Sequence, residues 1–266
     1  MQNSLTKKIG LSKSVLQIIA IIMMFVDHLW LVGPVWGVYT PVFYTITKLI
    51  GRITIVIMCY FVAEGFHKTK DLSKYIIRMA VFAAIAQIPY YFAKHGLTIT
   101  GNFNGLVVSM FYDRNVIFTL FVSLCLLTVL KSDYSLIVKL IGIVAALILA
   151  KTSDWSYYAV LWVIGFGLFY GNKKKQLIWA AVVVIIHLAL MVIDPIMTIR
   201  ETGEILLITI CNVIASLGSL LAIPLLALYN GKRGNMPKWT FYIIYPLQFI
   251  VIILLNIVFR LNAIFK

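Results

Sequence analysis

The chain has 266 residues, 62% of them hydrophobic and 12% charged, with a mean hydropathy of +0.99. Soluble domains carry about 25% charged residues, so lipid is the expected solvent and the fold class is all-α: one integral membrane domain over 1–266, a polytopic helix bundle. The net charge of +14 invites a nucleic-acid partner, but the basic residues sit in short loops between apolar runs, the pattern of a membrane protein, so no nucleic acid is expected.

In chain order, residues 1–13 carry the charge of a signal-peptide n-region. The apolar run that follows is long, holds Asp27 and lacks a small-residue cleavage site, so it reads as a retained first span. About nine spans are predicted: 14–33, 44–66, 73–93, 115–131, 134–151, 155–171, 176–194, 205–229 and 238–260. The stretch 94–114, rich in Gly and Asn, is predicted as the longest inter-span loop. No internal repeat or soluble domain is visible. Cys59, Cys125 and Cys211 lie in apolar runs without metal-ligand spacing, which predicts packed thiols and no metal site.

Orientation follows from Lys and Arg. With the N-terminus inside, 15 of the 23 lie on that side, Lys7, Lys8 and Lys13 among them. The other side holds six of the nine acids: Asp27, Asp113, Asp154, Asp194, Glu201 and Glu204. This predicts a multi-pass protein of the cell (inner) membrane with a cytoplasmic N-terminus and, for nine spans, an external C-terminus.

The first two spans carry a buried polar layer. At about 1.5 Å per helical residue, Asp27 lies roughly 20 Å above the inner end of its span. In the second span the apolar stretch ITIVIMCYFVA, between Arg52 and Glu64, is only about 16 Å long, so at least one of those charges lies at membrane depth. An inner end near Phe66 puts Arg52 level with Asp27. A charge at that depth costs at least about 2.5–3.5 kcal/mol on insertion scales and calls for a partner, which predicts an Asp27–Arg52 pair. Gly51 would let another backbone approach there.

His28 points about 100° away from Asp27, toward a cavity that Asn115, His187 and Asn212 are placed to line. These polar residues are either functional or inter-helix glue. Glu64 is either a site residue or an interfacial acid near Lys68. The loops HKTKDLSK, GNKKKQ and NGKRGNMPK are topology signals, or the place where the phosphates of a cytosolic cofactor are attracted. Tyr245 and Pro246 mark a kink that either lines a cavity or adjusts packing.

With these residues in view, the chain resembles the TraX family of membrane proteins. The likeness rests on MMFVDH (23–28), on IGRITIVIMCYFVAEGFHKTKDLSKYIIRM (50–79) with its Gly-Arg, Glu-Gly-Phe and Tyr-x-x-Arg elements, on RNVIFTL (114–120), and on YPLQ (245–248). Gln248 stands where the resemblance expects a histidine. Residues 134–235 offer no matching motif.

The eponymous member acetylates the N-terminal amine of conjugative pilin, so the resemblance implies acetyl-CoA as acyl donor and an amine acceptor, a peptide N-terminus or small amine, with a hydroxyl as the other option. In that reading His28 is the general base, with an imidazole suited to neutral pH. Arg52 or Asn115 stabilises the oxyanion, and Asp27 holds Arg52. The expected cofactor-binding residues are Glu64, Lys68, Lys70, Lys74 and Tyr245. The rival reading is a proton- or ion-coupled transporter that uses the intramembrane acids as a relay.

Overall fold

A computed structural model describes residues 10–32, 40–96, 103–202 and 207–264. Lys7, Lys8 and Glu204, and the side chains of Asp194 and Glu201, lie outside what it describes. Among the described residues the chain is helical, with two isolated bridges, Leu11 to Tyr229 and Arg114 to Ser153.

The helices are α1 (Lys13–His28), α2 (Pro41–Gly51), α3 (Ile53–Lys68), α4 (Leu72–His95), α5 (Phe103–Tyr112), α6 (Val116–Lys131), α7 (Leu136–Lys151), α8 (Ser156–Leu168), α9 (Lys173–Thr202), α10 (Leu207–Ser216), α11 (Ala222–Ala227) and α12 (Thr240–Ile264). Six segments are long and apolar enough to cross a membrane: Lys13–Leu31, Pro41–Lys68, Leu72–His95, Lys173–Ile193, Thr209–Ala227 and Thr240–Phe259. Helices α6, α7 and α8 are shorter, at 16, 16 and 13 residues. The nine predicted spans thus correspond to six full-length segments and three short apolar helices of an all-α membrane bundle.

Three predicted features come out differently. The expected loop 94–114 contains α5, because FNGLVVSMFY is an apolar run whose Asn and Gly fall in its first turn. The second span is interrupted at Arg52, which caps both α2 and α3. The eighth is broken by a 3-10 turn at Leu217–Leu221, where a Cβ on Gly218 would overlap the carbonyl oxygen of Leu49.

Helix α3 is the centre. Its residues Ile53, Ile55, Val56, Ile57, Cys59 and Val62 are all buried, as expected of a helix apolar on every side. It packs on α8 and α1, while α4 packs on α6 and α12, and α2 on α10 and α1. In lipid such contacts depend on close backbone approach between small residues. Ala20, Ala63, Ala83, Ala86, Ala159 and Ala180 supply it and are 0–5% exposed. The exterior is apolar: Ile137, Leu140, Ile141, Val144 and Ile148 on α7 are all exposed, a surface that fits acyl chains rather than water.

The segment before α12 is strapped to the start of α1. Leu11 N–H donates to Leu228 O (2.9 Å), Lys13 N–H to Lys232 O (2.8 Å), and Met236 N–H to Ser14 Oγ (2.8 Å). The basic loop NGKRGNMPK is therefore a fixed wall beside the N-terminal ends of α1 and α12.

Candidate functional site

A cavity of about 470 Å³ runs between α1, α3, α4, α6 and α12. That is within the roughly 300–1,000 Å³ of ordinary ligand sites. One end is polar and buried around Asp27, His28, Asp154 and Tyr245; the other is basic, with Lys13, Lys68, Arg78, Arg233 and Lys238. Lys13 and Asp27 bracket its length on α1, about 20 Å apart by helix rise.

At the buried end, Asp27 Oδ2 accepts from Lys48 Nζ at 2.9 Å, both side chains being nearly buried. The predicted Asp27–Arg52 pair is thereby corrected: the partner is Lys48. The reason is helical geometry. Gly51 and Lys48 lie on the α2 helix that abuts Asp27, whereas Arg52 caps the end of that helix, at the junction with α3, and leaves its helical course. The Arg52 guanidinium instead lies 4.4 Å from the Trp155 ring centre. Gly51 does admit a close neighbour, but what abuts it is the side chain of Asp27 rather than another backbone.

His28 Nδ1 lies 2.8 Å from the carbonyl oxygen of Met24, so Nδ1 carries a proton and donates, which in the neutral ring leaves Nε2 as the nitrogen with a lone pair. Nε2 is 3.8 Å from Asp27 Oδ2, and the ring packs edge-on to Phe249 at 4.8 Å. Tyr245, 1% exposed, puts its hydroxyl in the same wall, where the oxygen accepts from Val116 N–H at 3.3 Å.

At the basic end, Glu64 is a hub. Its carboxylate accepts from Lys13 (3.0 Å), Lys68 (2.7 Å) and the Tyr229 hydroxyl (2.7 Å), joining α1, α3 and the strapped segment. Burial and the bond to Glu64 hold the Tyr229 phenol well above its ordinary range. Arg78 sits among three aromatic rings, with its guanidinium 5.1 Å from Tyr75, 5.5 Å from Trp239 and 5.5 Å from Tyr242. The rim thus combines five cations with one acid.

Of the residues predicted from sequence, Asp27, His28, Glu64, Lys68 and Tyr245 line the cavity. Arg52, Asn115, Lys70 and Lys74 are not in its wall. Lys70 is exposed, and Lys74 is exposed and paired with Asp71 at 3.0 Å. Asn115 is fully buried and caps α6: Oδ1 accepts from Ile117 and Phe118 N–H, while Nδ2 donates to Ala83 O and Gln87 Oε1. Both amide protons are committed.

The expectation that Asn115, His187 and Asn212 share this cavity is corrected as well. His187 is buried behind Trp155, stacked on Tyr158 at 4.0 Å, and Asn212 accepts from Tyr44. Gln248 is fully buried, and among the described residues neither end of its amide has a partner. The three cysteines are unpaired thiols, and the described residues contain no group of three or more His, Cys, Asp or Glu able to hold a metal.

Sequence reading assigned no role to Lys48, Arg78, Asp154 or Trp155. Arg78 lies in the Tyr-x-x-Arg element, and Asp154 sits beside a tryptophan between two apolar runs. Those signals were present but carried no depth information.

The comparisons with known proteins follow. The model of the TraX protein family matches residues 12–256. The chain is 28% identical over 250 residues to the probable fimbrial assembly protein FimC, serogroup H1, of Dichelobacter nodosus, covering 92% of this chain and 95% of that protein. No solved structure matches.

Proposed function

Since the chain belongs to the TraX protein family, we propose that it is an acetyltransferase of the cell membrane that moves an acetyl group from acetyl-CoA to an amine. The name of its fimbrial-assembly relative makes the N-terminus of a pilus-type subunit the first acceptor to consider. The observation that carries this reading is a cavity joining a basic aromatic rim to the lone pair of a buried imidazole.

In this reading the N-terminus is cytoplasmic and the rim opens to the cytosol. The residues there fit a donor with a polyanionic head. Arg78, Arg233 and Lys238 attract phosphates, Trp239 and Tyr242 offer faces for a base, and the apolar middle of the cavity takes the acyl-bearing arm. Lys68 belongs to this rim, while Lys70 and Lys74 contribute only to the local field.

At the far end, an amine nitrogen attacks the thioester carbonyl carbon. A C–N bond forms and negative charge develops on the carbonyl oxygen. His28 Nε2 takes a proton from that nitrogen, aided by Asp27 at 3.8 Å. The C–S bond breaks and the departing thiolate takes the proton from His28, leaving an amide and a free thiol. The Tyr245 hydroxyl donates to the oxyanion, polarised by the Val116 N–H it accepts, and the N-terminal end of α6 adds its positive dipole. Arg52 and Asn115 then act indirectly, Arg52 by holding Trp155 and Asn115 by capping α6.

Calorimetry of acetyl-CoA with the protein in nanodiscs tests the proposal. Wild type should bind saturably, Arg78→Ala should bind more weakly, and His28→Ala should bind without transferring the acetyl group. Folded wild type that fails to bind acetyl-CoA, yet moves solute across liposomes, would overturn it in favour of a transporter.

A further inference from the structure

The charges in the cavity balance unevenly. Asp27 is neutralised by Lys48, and Glu64 by Lys13 and Lys68. Asp154 also faces the cavity, yet among the described residues no cation lies within ion-pair distance of it. Its backbone is bonded to Arg114 and Thr119 at the start of α6, the end of the cavity that also holds Tyr245, whose hydroxyl accepts from Val116 N–H.

The backbone holds it there at a cost. Trp155 and Ser156 have φ of +65° and +43°, the left-handed region that bulky residues avoid. Such strain persists only where the surroundings over-determine it. Here Asp154 N–H donates to Arg114 O at 2.7 Å, Thr119 Oγ1 donates to Asp154 O at 2.7 Å, and Arg114 N–H donates to Thr152 O at 3.1 Å. Trp155 is further held beneath Arg52. A strained, pinned turn thus presents to the cavity a carboxylate with no ion pair among the described residues, and a carboxylate lining such a pocket attracts a cation.

We infer that Asp154 binds the ammonium group of the acceptor, making it the residue that selects an amine over a hydroxyl. This rests on the acyl-transfer reading of the same cavity. An ammonium held there releases one proton to solvent before attack, and its nitrogen passes a second through His28 to the thiolate, so the reaction balances as ammonium plus thioester giving amide, thiol and one proton. A hydroxyl acceptor brings no charge and leaves Asp154 unpaired.

The experiment compares glycinamide with glycolamide, its hydroxyl isostere, as probes for the whole protein in nanodiscs by ligand-observed NMR. Wild type should prefer glycinamide by at least about tenfold, the worth of one charge-assisted hydrogen bond. Asp154→Asn should lose that preference while keeping the wild-type affinity for acetyl-CoA, and Asp154→Glu should recover part of it. Equal binding of the two probes by wild type overturns the inference, even if the variants fail to fold, as does an unchanged preference in Asp154→Asn. Loss of acetyl-CoA binding in wild type is a separate outcome that overturns the acyl-transfer reading alone.

Discussion

Gly51 and Asp27 meet where α1 crosses α2: a Cβ on Gly51 would overlap the Cβ and carboxylate of Asp27. The absence of a side chain at 51 is what allows an acid to sit at this depth with its partner, Lys48, one turn earlier on the same face. Gly51→Ala should force the two helices apart and cost about 1–3 kcal/mol, the usual range for overpacking. A lowered thermal midpoint in detergent, together with loss of the proposed acyl transfer, would confirm it.

The Asp27–Lys48 pair should behave as a unit. Lys48→Met leaves a buried carboxylate alone, which typically costs about 3–5 kcal/mol. Adding Asp27→Asn should return much of that stability. A double-mutant cycle on unfolding midpoints measures the coupling, and Asp27 with Arg52 should couple far more weakly. Additive effects for Asp27 and Lys48 would contradict the 2.9 Å contact.

Arg78 should matter for ligand rather than fold. Its guanidinium rests on three aromatic faces at the cavity rim, and its Nε has no partner among the described residues. If the cavity takes acetyl-CoA as proposed, Arg78→Ala should weaken its binding by about tenfold, as expected for one charge-assisted contact, and leave the melting temperature nearly unchanged. Titration at two salt concentrations checks it, since the salt dependence should shrink along with the affinity.

Asp113 should set acid sensitivity at the end of α4. Burial pushes its carboxyl pKa up, but hydrogen bonds from Lys94 (2.8 Å), His95 (2.6 Å) and Tyr90 (3.1 Å) outweigh that and hold it below the ordinary 3.8. A carboxyl depressed in the folded state binds its proton more readily once unfolded. Its stabilisation is therefore present above about pH 4 and fades as pH falls through the depressed value. Thermal midpoints between pH 6 and 3 should fall for wild type, with a shallower slope for Asp113→Asn.

Glu64 illustrates how much of the site was legible in the sequence. The short apolar stretch between Arg52 and Glu64 pointed to charge at membrane depth, and Lys68 one turn on is a partner that helix spacing alone supplies. The links from Glu64 to Lys13, 51 positions away, and to Tyr229, 165 positions away, depend on how α1 and the strapped segment pack. No local pattern carries that.

Composition and periodicity by themselves determined the membrane class, the run of apolar helices and the placing of Asp27 and His28 within the first of them. Hydropathy and helix rise are local properties, readable residue by residue. Only the tertiary structure decided that Lys48 rather than Arg52 pairs with Asp27, that Asn115 is a cap, and that Asp154 lines the cavity with no ion pair among the described residues. Each of those outcomes turns on which face of one helix meets which face of another. A rotation of about 100° per residue makes neighbouring positions point to different partners, and depth along the membrane leaves that rotation undetermined.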